Sequence, residues 1–425
     1  MKETWGVIVI GGGPAGMMTA GRAAEQGAKV ILIEKNETLG KKLLTTGGGR
    51  CNVTNAEFDT RKLLEKFKED GKFLFSAFSQ WNVKETLDFF NTKGMETKVE
   101  AGLRVFPTSN MSQSVLNVLT KYIKDGKVTL LTNSAMAEFV MSDDKKKIIG
   151  VKLKNKKIVL GKSIIIATGG TSRPETGSTG DAYKWLKNIG HTVIEPTPSL
   201  VPIATKDAWI SKLSGVSLAD IKLTVFQNGQ KQNTNKGLSA SRRSKILFTH
   251  VGLSGPTILN MSKDIGELLK YGEVTISLDL LPLLDYSKLN TKLQEIFTEK
   301  NNMKFKNSLA GFIPSAIVPI VVELSKIDPE KKTNSVTREE RLQFVKLLKD
   351  IPIHVDKLLG IEKAIISSGG VILDEVDFKT MRSRIFPNLY LVGDILNIDR
   401  PSGGYSLQLC WTTGFVAGTH CAKNI

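Results

Sequence analysis

The sequence has few cysteines and histidines, and their spacing suits neither a disulfide framework nor a metal site. Its 425 residues include three cysteines without a Cys-x-x-Cys pair and four histidines without a His-Glu-x-x-His pattern. Disulfide scaffolds and zinc sites both need ligand residues at short, regular spacings. The sequence therefore predicts no metal, and it argues against thioredoxin-like and zincin-type chemistry.

Long apolar runs are also missing. The most apolar stretch, residues 312–322, is interrupted by Pro314 and Pro319, whereas a helix that crosses a bilayer needs about 20 apolar residues. The chain passes from Glu3 directly into an apolar strand, without the basic and then apolar layout of a signal peptide. We therefore expect no membrane association and a cytoplasmic location.

Positive charge is present in excess. Lysine and arginine number 59 against 42 acidic residues, a formal net charge of +17, in a chain of ordinary globular composition. Such a surplus raises the question of an acidic partner: a nucleic acid, an anionic membrane or a phosphate-bearing cofactor. Lysines spread evenly over solvated faces would equally serve solubility, so the charge alone does not decide.

The first forty residues follow the pattern of a dinucleotide-binding unit. An apolar strand leads into Gly11-Gly12-Gly13-Pro14-Ala15-Gly16, an alanine-rich helix follows, and a second apolar strand ends at Glu34. Gly11 permits a tight turn, Gly13 lets the backbone approach a pyrophosphate at the helix N-terminus, and Gly16 lets helix and strand pack closely. Glu34 stands where an acid binds a ribose diol. These features predict a dinucleotide without a 2′-phosphate.

Two further stretches favour FAD over NAD. Residues 41–55 form a basic and then glycine-dense loop, which suits a flavin held along a backbone-lined groove. Far downstream, Gly393-Asp394 places an acid at the end of a strand, suited to a ribityl hydroxyl. The segment 402–405 then starts a final helix whose N-terminus can stabilise charge on a reduced ring. No second Gly-x-Gly-x-x-Gly follows, so NAD(P)H would have to visit the flavin transiently as electron donor.

The pattern of strands and glycines divides the chain. Nucleotide-binding character ends near residue 192 and returns from about residue 357, and the region between is first strand-like and then helical. Within it, Asn228-Gly229 predicts a hairpin turn, and residues 289–324 are predicted to be helical. The sequence thus predicts an α/β protein with a discontinuous Rossmann-like domain and an insertion.

Several motifs, in order along nearly the whole chain, resemble the BaiN/aminoacetone-oxidase-like family of bacterial NAD(P)/FAD-dependent flavoprotein oxidoreductases. The most distinctive are Gly47-Gly48-Gly49-Arg50-Cys51-Asn52-Val53-Thr54-Asn55 and Thr249-His250-Val251-Gly252-Leu253-Ser254-Gly255-Pro256. The resemblance implies non-covalent FAD, oxidoreductase activity and three domains. These are an FAD-binding domain (1–192 and 357–425), a β-barrel-like domain (193–280, with a return strand near 345–356) and a helical domain (281–344).

The expected cofactor-binding residues combine the glycine turn, the loop and the downstream segments. The resemblance implies FAD contacts near positions matching Ala15, Glu34, Lys35, Lys42, Gly48, Arg50, Cys51, Asn52, Asp394 and Gly403-Gly404. The full set of expected cofactor-binding residues is Gly11, Gly13, Pro14, Ala15, Gly16, Glu34, Lys35, Lys42, Thr46, Gly47, Gly48, Gly49, Arg50, Cys51, Asn52, Ala167, Thr168, Gly169, Gly170, Gly393, Asp394, Gly403, Gly404 and Tyr405.

The sequence also departs from the family pattern at three places. Asp394 stands where glutamate is usual, Cys410 where alanine is usual, and Arg400-Pro401-Ser402 replaces a more acidic stretch that contains glycine. The first change keeps a carboxylate on a shorter arm. The third alters the edge of the expected substrate pocket, so the substrate cannot be carried over from a relative.

Four residues are candidates for chemistry beside the flavin, each with a structural alternative. Cys51 is a redox thiol or, as we prefer, a small residue in a tight loop. His250 is a general base or, preferably, a structural histidine. Arg50 is a cation near flavin or substrate, or a salt-bridge partner. Tyr405 lines the substrate pocket or is simply buried.

We therefore expect an FAD-dependent oxidoreductase that exchanges hydride between the flavin and a small organic substrate, with NAD(P)H as donor or oxygen as acceptor. The alternative is a flavin-containing protein that binds or modifies tRNA or another nucleic acid, which the net charge of +17 suggests. Dispersed lysines and the lack of a recognisable RNA motif argue against this alternative. Oligomeric state is left open.

Overall fold

A computed structural model describes residues 4–232 and 244–423. The chain forms two compact units, one comprising Met1–Ser199 with Ile361–Ile425 and the other Leu200–Gly360. The first unit is therefore discontinuous in sequence, and the second is inserted into it.

The strands are, in chain order, β1 (Thr4–Ile10), β2 (Val30–Ile33), β3 (Thr54–Asn55), β4 (Thr97–Glu100), β5 (Arg104–Pro107), β6 (Thr129–Leu131), β7 (Met136–Met141), β8 (Ile148–Leu153), β9 (Ile158–Ile166), β10 (Val193–Ser199), β11 (Ile203–Thr205), β12 (Ser217–Gln227), β13 (Gln230–Lys231), β14 (Ser244–Phe248), β15 (Gly252–Ser254), β16 (Val274–Asp279), β17 (Ile351–Leu358), β18 (Ile366–Val371) and β19 (Leu389–Leu391).

The α-helices are α1 (Pro14–Glu25), α2 (Lys41–Thr45), α3 (Thr60–Glu65), α4 (Gly71–Gln80), α5 (Val83–Thr92), α6 (Ser112–Asp125), α7 (Asp181–Asn188), α8 (Pro256–Leu269), α9 (Tyr286–Glu299), α10 (Phe305–Ser308), α11 (Val318–Ser325), α12 (Arg338–Lys349) and α13 (Tyr405–Lys423). Among the described helices, none combines the length and apolar character of a membrane span.

The first unit is built on a mainly parallel sheet. Its order is β6-β2-β1-β9-β8-β7, and β19 pairs with β9. Strands β6, β2, β1, β9 and β19 run parallel, with Ile8 of β1 aligned with Ile31 of β2 and Ile164 of β9. The central strands are continuous apolar runs because both faces of such a sheet are covered. This is a Rossmann-type arrangement, as the sequence predicted, and it brings the carboxyl ends of β1, β2, β9 and β19 to one edge.

Helix α13 packs directly on α1. A Cβ atom added at Gly414 would lie 2.7 Å from the Ala15 carbonyl oxygen, and one added at Gly418 would lie 2.8 Å from the Thr19 carbonyl oxygen. The absent side chains allow the two helix backbones to approach closely. The last helix of the chain is thereby fixed against the first.

The second unit contains a closed ring of strands. Its sheet order is β13-β12-β14-β15-β11-β17-β16, and β12 also pairs with β16, which closes the ring. Asn228 and Gly229, both with positive φ, form the turn between β12 and β13, as predicted. Strand β17 lies in the ring between β11 and β16, and its bounds overlap the range 345–356 in which a return strand was expected.

The sequence predicts helical structure over residues 289–324, and most of these residues are helical, but they do not form one continuous helix. The structure has three helices there, α9, α10 and α11, with turns between them. Pro314 has an extended conformation (ψ 128°) and precedes a short 3₁₀ turn, and Pro319 lies at the start of α11. Proline favours the first turn of a helix and breaks its interior. Side chains of α9–α12 pack into one hydrophobic core with the strand ring. The shared core does not mark the helices off from the strands, so the division into a separate helical domain stays a prediction.

Candidate functional site

The first unit contains a large cleft at the carboxyl edge of its parallel sheet. The cleft has an empty volume of about 1230 Å³, which includes the space at its open mouth. Ligands of open α/β sheets bind at this edge, where the chain crosses from one side of the sheet to the other. Residues from both sequence segments of the unit contribute to its wall, including Gly13, Glu34, Lys42, Asp394 and Ser406.

The glycine turn after β1 has the geometry that the motif predicts. Gly11 has a φ of 107°, and a Cβ atom at Gly16 would lie 1.9 Å from the Gly11 carbonyl oxygen. At Gly13, in contrast, an added Cβ atom would meet no atom within 4 Å. Gly11 and Gly16 are thus needed for the turn and the helix packing, whereas Gly13 leaves open space in front of the N-terminus of α1.

Glu34, at the end of β2, is held by N–H groups. Its Oε2 accepts from the Gly12 backbone at 2.7 Å, and its Oε1 accepts from the backbone and the side-chain amide of Asn36, each at 2.8 Å. The side chain is largely buried and lines the cleft. The carboxylate is therefore oriented toward the glycine turn, at the position where a ribose diol would bind.

A loop that the sequence analysis did not assign to the site covers this end of the cleft. Lys35 Nζ donates to Thr179 Oγ1 at 2.5 Å and to Asp181 Oδ2 at 3.0 Å, and Asn36 Nδ2 donates to the Thr176 carbonyl oxygen at 3.1 Å. Two cleft-lining segments, residues 35–36 and 176–181, are thus tied together across the sequence.

Other wall residues outside the expected set include Ser134, Ala135, Met136, Trp185, Leu407 and Cys410. Ser134–Met136 follow β6 and Trp185 lies in α7, and neither segment carries a recognisable cofactor motif. The one available signal was the glycine-rich stretch before α7, where Gly177 and Gly180 have positive φ values.

The cleft holds a buried polar atom without a partner. Among the described residues, Thr168 Oγ1 is one of four buried side-chain oxygen atoms without a hydrogen-bond partner, and Thr168 lines the cleft after β9. Buried polar atoms in proteins are nearly always satisfied. Together with the open space at Gly13 and the N-terminus of α1, which no side chain caps, this atom suits an anionic, hydroxyl-bearing ligand.

Asp394 lies between two cations. Arg400 Nη2 donates to its Oδ1, and Lys42 Nζ lies 3.6 Å from its Oδ2. Burial by itself raises the pKa of the Asp394 carboxyl, but the charges of Arg400 and Lys42 outweigh this and hold that pKa below its usual value. Asp394 is therefore ionised at neutral pH, and the three groups together carry a net positive charge.

Four residues of the glycine-dense loop 46–51 have backbone conformations in the left-handed region. Gly47, Gly48 and Gly49 have φ values of 57°, 67° and 87°, and Cys51 has 60°. The Cys51 thiol is completely buried, and burial raises its pKa to about 12. A thiol with this pKa is protonated at neutral pH, which supports the structural interpretation of Cys51 over the redox one.

Arg50 is paired with protein groups. Its guanidinium contacts Glu100 and donates to Asn110 Oδ1 at 2.6 Å, and it lies 4.1 Å from the centre of the Phe106 ring. These contacts favour the salt-bridge alternative that the sequence left open. They also fasten the loop to β4 and β5.

The turn before α13 is attached to the same loop region. Asn55 Nδ2 donates to the carbonyl oxygens of Gly102 and Gly403, each at 3.2 Å, and a Cβ atom at Gly404 would lie 2.3 Å from the Thr54 carbonyl carbon. Tyr405 is buried and makes an edge contact with Phe67. The contacts of Asn55 with Gly403 and of Thr54 with Gly404 join residues some 350 positions apart.

The structure thus brings about half of the expected cofactor residues to the cleft wall. These are Gly11, Gly13, Pro14, Ala15, Glu34, Lys35, Lys42, Thr46, Ala167, Thr168, Gly169 and Asp394. The others are not among the residues that line the cleft: Gly16, Gly47, Gly48, Gly49, Arg50, Cys51, Asn52, Gly170, Gly393, Gly403, Gly404 and Tyr405. Their contact with a cofactor stays a prediction.

His250 belongs to the second unit, where its side chain is exposed at the turn between β14 and β15. It is not among the residues that line the cleft. Across residues 4–232 and 244–423, no group of three or more His, Cys, Asp or Glu side chains could hold a metal ion.

Comparison with known proteins gives matches over the full length. The chain is 28% identical to the 3-dehydro-bile acid delta(4,6)-reductase of Clostridium scindens, with 98% of each chain covered. It is also 28% identical to the ribosomal RNA dihydrouridine synthase of Escherichia coli, which covers 100% of this chain and 98% of that protein.

Among solved structures, 3-ketosteroid delta1-dehydrogenase from Sterolibacterium denitrificans has a similar fold. It gives a TM-score of 0.57 at 13% identity and covers 99% of this chain and 100% of that one. This likeness concerns the fold alone.

The family signature confirms the resemblance found in the sequence. Residues 5–420 match the family described as HI0933-like protein Rossmann domain, which is nearly the whole chain. The parallel sheet, the glycine turn and the full-length reductase relative agree with that match. The chain is therefore an oxidoreductase that belongs to the HI0933-like Rossmann-domain family.

Proposed function

We propose that the protein is an FAD-dependent reductase that transfers hydride to a carbon–carbon double bond conjugated with a carbonyl group. The observation that carries the FAD assignment is the continuous cleft from the glycine turn and Glu34, through Lys42 and Asp394, to the first turns of α13. NAD would account for the first part of this cleft, whereas the second part needs a ligand that extends toward the last helix.

The chain's own residues supply binding and orientation. The open N-terminus of α1 and Gly13 would hold the pyrophosphate, and Glu34 would bind the adenosine ribose. Asp394 and Lys42, which also line the cleft, would hold the ribityl chain and the phosphates. Bound in this way, FAD supplies the hydride chemistry, while the protein sets position and local charge. NAD(P)H is the proposed electron donor.

Although neither relative's own substrate can be carried over, the proposed substrate class is supported by what the names of the two full-length relatives have in common. One is named as a delta(4,6)-reductase of a 3-dehydro-bile acid, the other as a synthase of dihydrouridine in ribosomal RNA. Saturation of a 3-oxo-4,6-diene and of the uracil ring both deliver hydride to a double bond activated by a carbonyl. The two relatives share this step despite very different substrates, so the conjugated double bond is the common element.

The first experiment tests the cofactor. Purified protein should be yellow or become so on incubation with FAD, and denaturation should release FAD rather than FMN. Under anaerobic conditions, NADH or NADPH should bleach the flavin absorbance, and a 3-oxo-4-ene or 3-oxo-4,6-diene should restore it. Protein that stays colourless with excess FAD would refute the proposal.

Reduction of a nucleobase in RNA is the second candidate. The full-length match to a ribosomal RNA dihydrouridine synthase and the net charge of +17 favour it. Mass spectrometry of ribosomal RNA should then show dihydrouridine in cells that carry the gene and its loss in a deletion strain. If steroid enones reoxidise the reduced protein but ribosomal RNA is unmodified, the nucleobase candidate fails.

A further inference from the structure

The buried residue Arg400 has contacts that cofactor binding by itself does not require. Its side chain is 1% exposed. It pairs with Asp394, donates from Nη1 to the Ile398 carbonyl oxygen at 2.6 Å, and donates from Nε to Ser406 Oγ at 3.0 Å. Ser406 lies in the first turn of α13 and lines the cleft. The guanidinium therefore joins the end of β19 to the start of the last helix.

The charge balance at this point is positive. Asp394 contributes one negative charge, and Arg400 and Lys42 contribute two positive charges. Because all three groups are mostly removed from water, their charges are screened less than surface charges are. The N-terminus of α13 adds the positive end of a helix dipole at the same place.

We propose that Arg400 is a positioning residue that sets the charge of the cofactor cleft and thereby favours the reduced, anionic form of the flavin. The inference rests on the proposed FAD site. Without Arg400, the charges of Asp394 and Lys42 would cancel. The surplus positive charge of the three groups therefore depends on Arg400. A positive charge close to a flavin stabilises the negative charge that the ring gains on reduction.

The test compares FAD-loaded wild type, Arg400→Gln and the double variant Arg400→Gln/Asp394→Asn. Each is equilibrated anaerobically with an indicator dye at a fixed dye ratio, and the oxidised-to-reduced flavin ratio is read from the spectrum. The reduced dye supplies two electrons and is oxidised, and solvent supplies the proton. Arg400→Gln should raise the ratio about ten-fold, the scale expected for one poorly screened charge.

The double variant separates charge from structure. It removes one charge of each sign and leaves Lys42, so the net charge equals that of wild type and the ratio should return close to the wild-type value. If Arg400 acted only as a structural link, the double variant would deviate as far as Arg400→Gln. That result would overturn the proposal.

Two further variants complete the design. Arg22→Gln removes a partly buried arginine of α1 that pairs with Glu25 and packs on Phe415, away from the cleft wall, and it should leave the ratio unchanged. If Arg400→Gln does not fold, Asp394→Asn tests the proposal instead. This variant removes a negative charge and should lower the oxidised-to-reduced flavin ratio. An unchanged ratio would refute the proposal. Failure of wild type to bind FAD would instead refute the proposed function.

Discussion

The two carboxylates on the cleft wall are held in opposite ways. Glu34 ends β2 and accepts hydrogen bonds from the N–H groups of Gly12 and Asn36, all within a segment of 25 residues. Asp394 follows β19 and lies between the cations of Arg400 and Lys42, the latter more than 350 residues away in sequence. Local backbone geometry fixes the first end of the cleft, whereas long-range charge pairing fixes the second.

This difference has an energetic consequence. N–H donors satisfy a carboxylate without introducing a further charge, so their loss affects mainly local geometry. A buried ion pair, in contrast, leaves an uncompensated charge when either partner is removed. The two ends of the cleft should therefore respond differently to substitution and to pH.

The largest effect is expected at the glycine turn of the first end. Gly16→Ala would place a Cβ atom 1.9 Å from the Gly11 carbonyl oxygen, and the backbone would have to move. We expect a loss of unfolding free energy of about 4 kcal/mol or more, measured by chemical denaturation. Gly13→Ala is the matched control, because its Cβ atom meets nothing within 4 Å. Gly13→Ala should preserve the free energy of unfolding and weaken FAD binding. Equal destabilisation of both variants would contradict the assignment of Gly16 to helix packing and of Gly13 to the ligand space.

The second end should be sensitive to pH. Asp394→Asn leaves Arg400 buried without its partner, which should cost about 3 kcal/mol of unfolding free energy at pH 7. The pKa of Asp394 is held below the usual 3.8 by Arg400 and Lys42 against the opposing effect of burial, so its stabilisation is present above that pH and is lost as the pH falls further. The difference in unfolding free energy between wild type and Asp394→Asn should therefore become smaller below about pH 4. Chemical denaturation at a series of pH values measures it.

Glu34→Gln is the control for this pH profile at the first end. The amide oxygen of glutamine can still accept from the Gly12 N–H group, so the loss of unfolding free energy at pH 7 should be smaller than for Asp394→Asn. If both variants lost equal free energy at pH 7, the distinction between the two ends would fail.

The smallest effect on activity is expected for substitution of Cys51, which lies in the glycine-dense loop 46–51. Burial raises the pKa of the thiols of Cys51 and Cys410 to about 12, and it also raises the pKa of Cys421. The native protein should therefore react with no thiol reagent at pH 8, whereas the unfolded protein should react at three sites. Cys51→Ala should retain the rate of flavin reduction. Rapid labelling of the native protein, lost in this variant, would restore the redox interpretation.

Much of the first end could be predicted from the sequence because its parts are neighbours. The turn at Gly11, the start of α1 and the acid at Glu34 lie in one βαβ unit, and steric rules for glycine determine their arrangement. The hairpin turn at Asn228-Gly229 was predictable for the same reason. The helical character of residues 289–324 was predictable, but their division into α9, α10 and α11 was not, because it depends on two prolines and on the packing of the apolar faces on a strand ring.

The sequence by itself determined the Rossmann-type unit, its interruption by an insertion and the acids at the ends of two strands, since each depends on local steric preference or apolar periodicity. Only the tertiary structure decided which groups meet across long sequence separations. It placed Arg400 on Asp394, the loop 176–181 over Lys35 and Asn36, and Asn55 against Gly403. Such contacts depend on how the helices and strands pack, and side-chain charge or hydrogen-bonding capacity alone does not specify a distant partner.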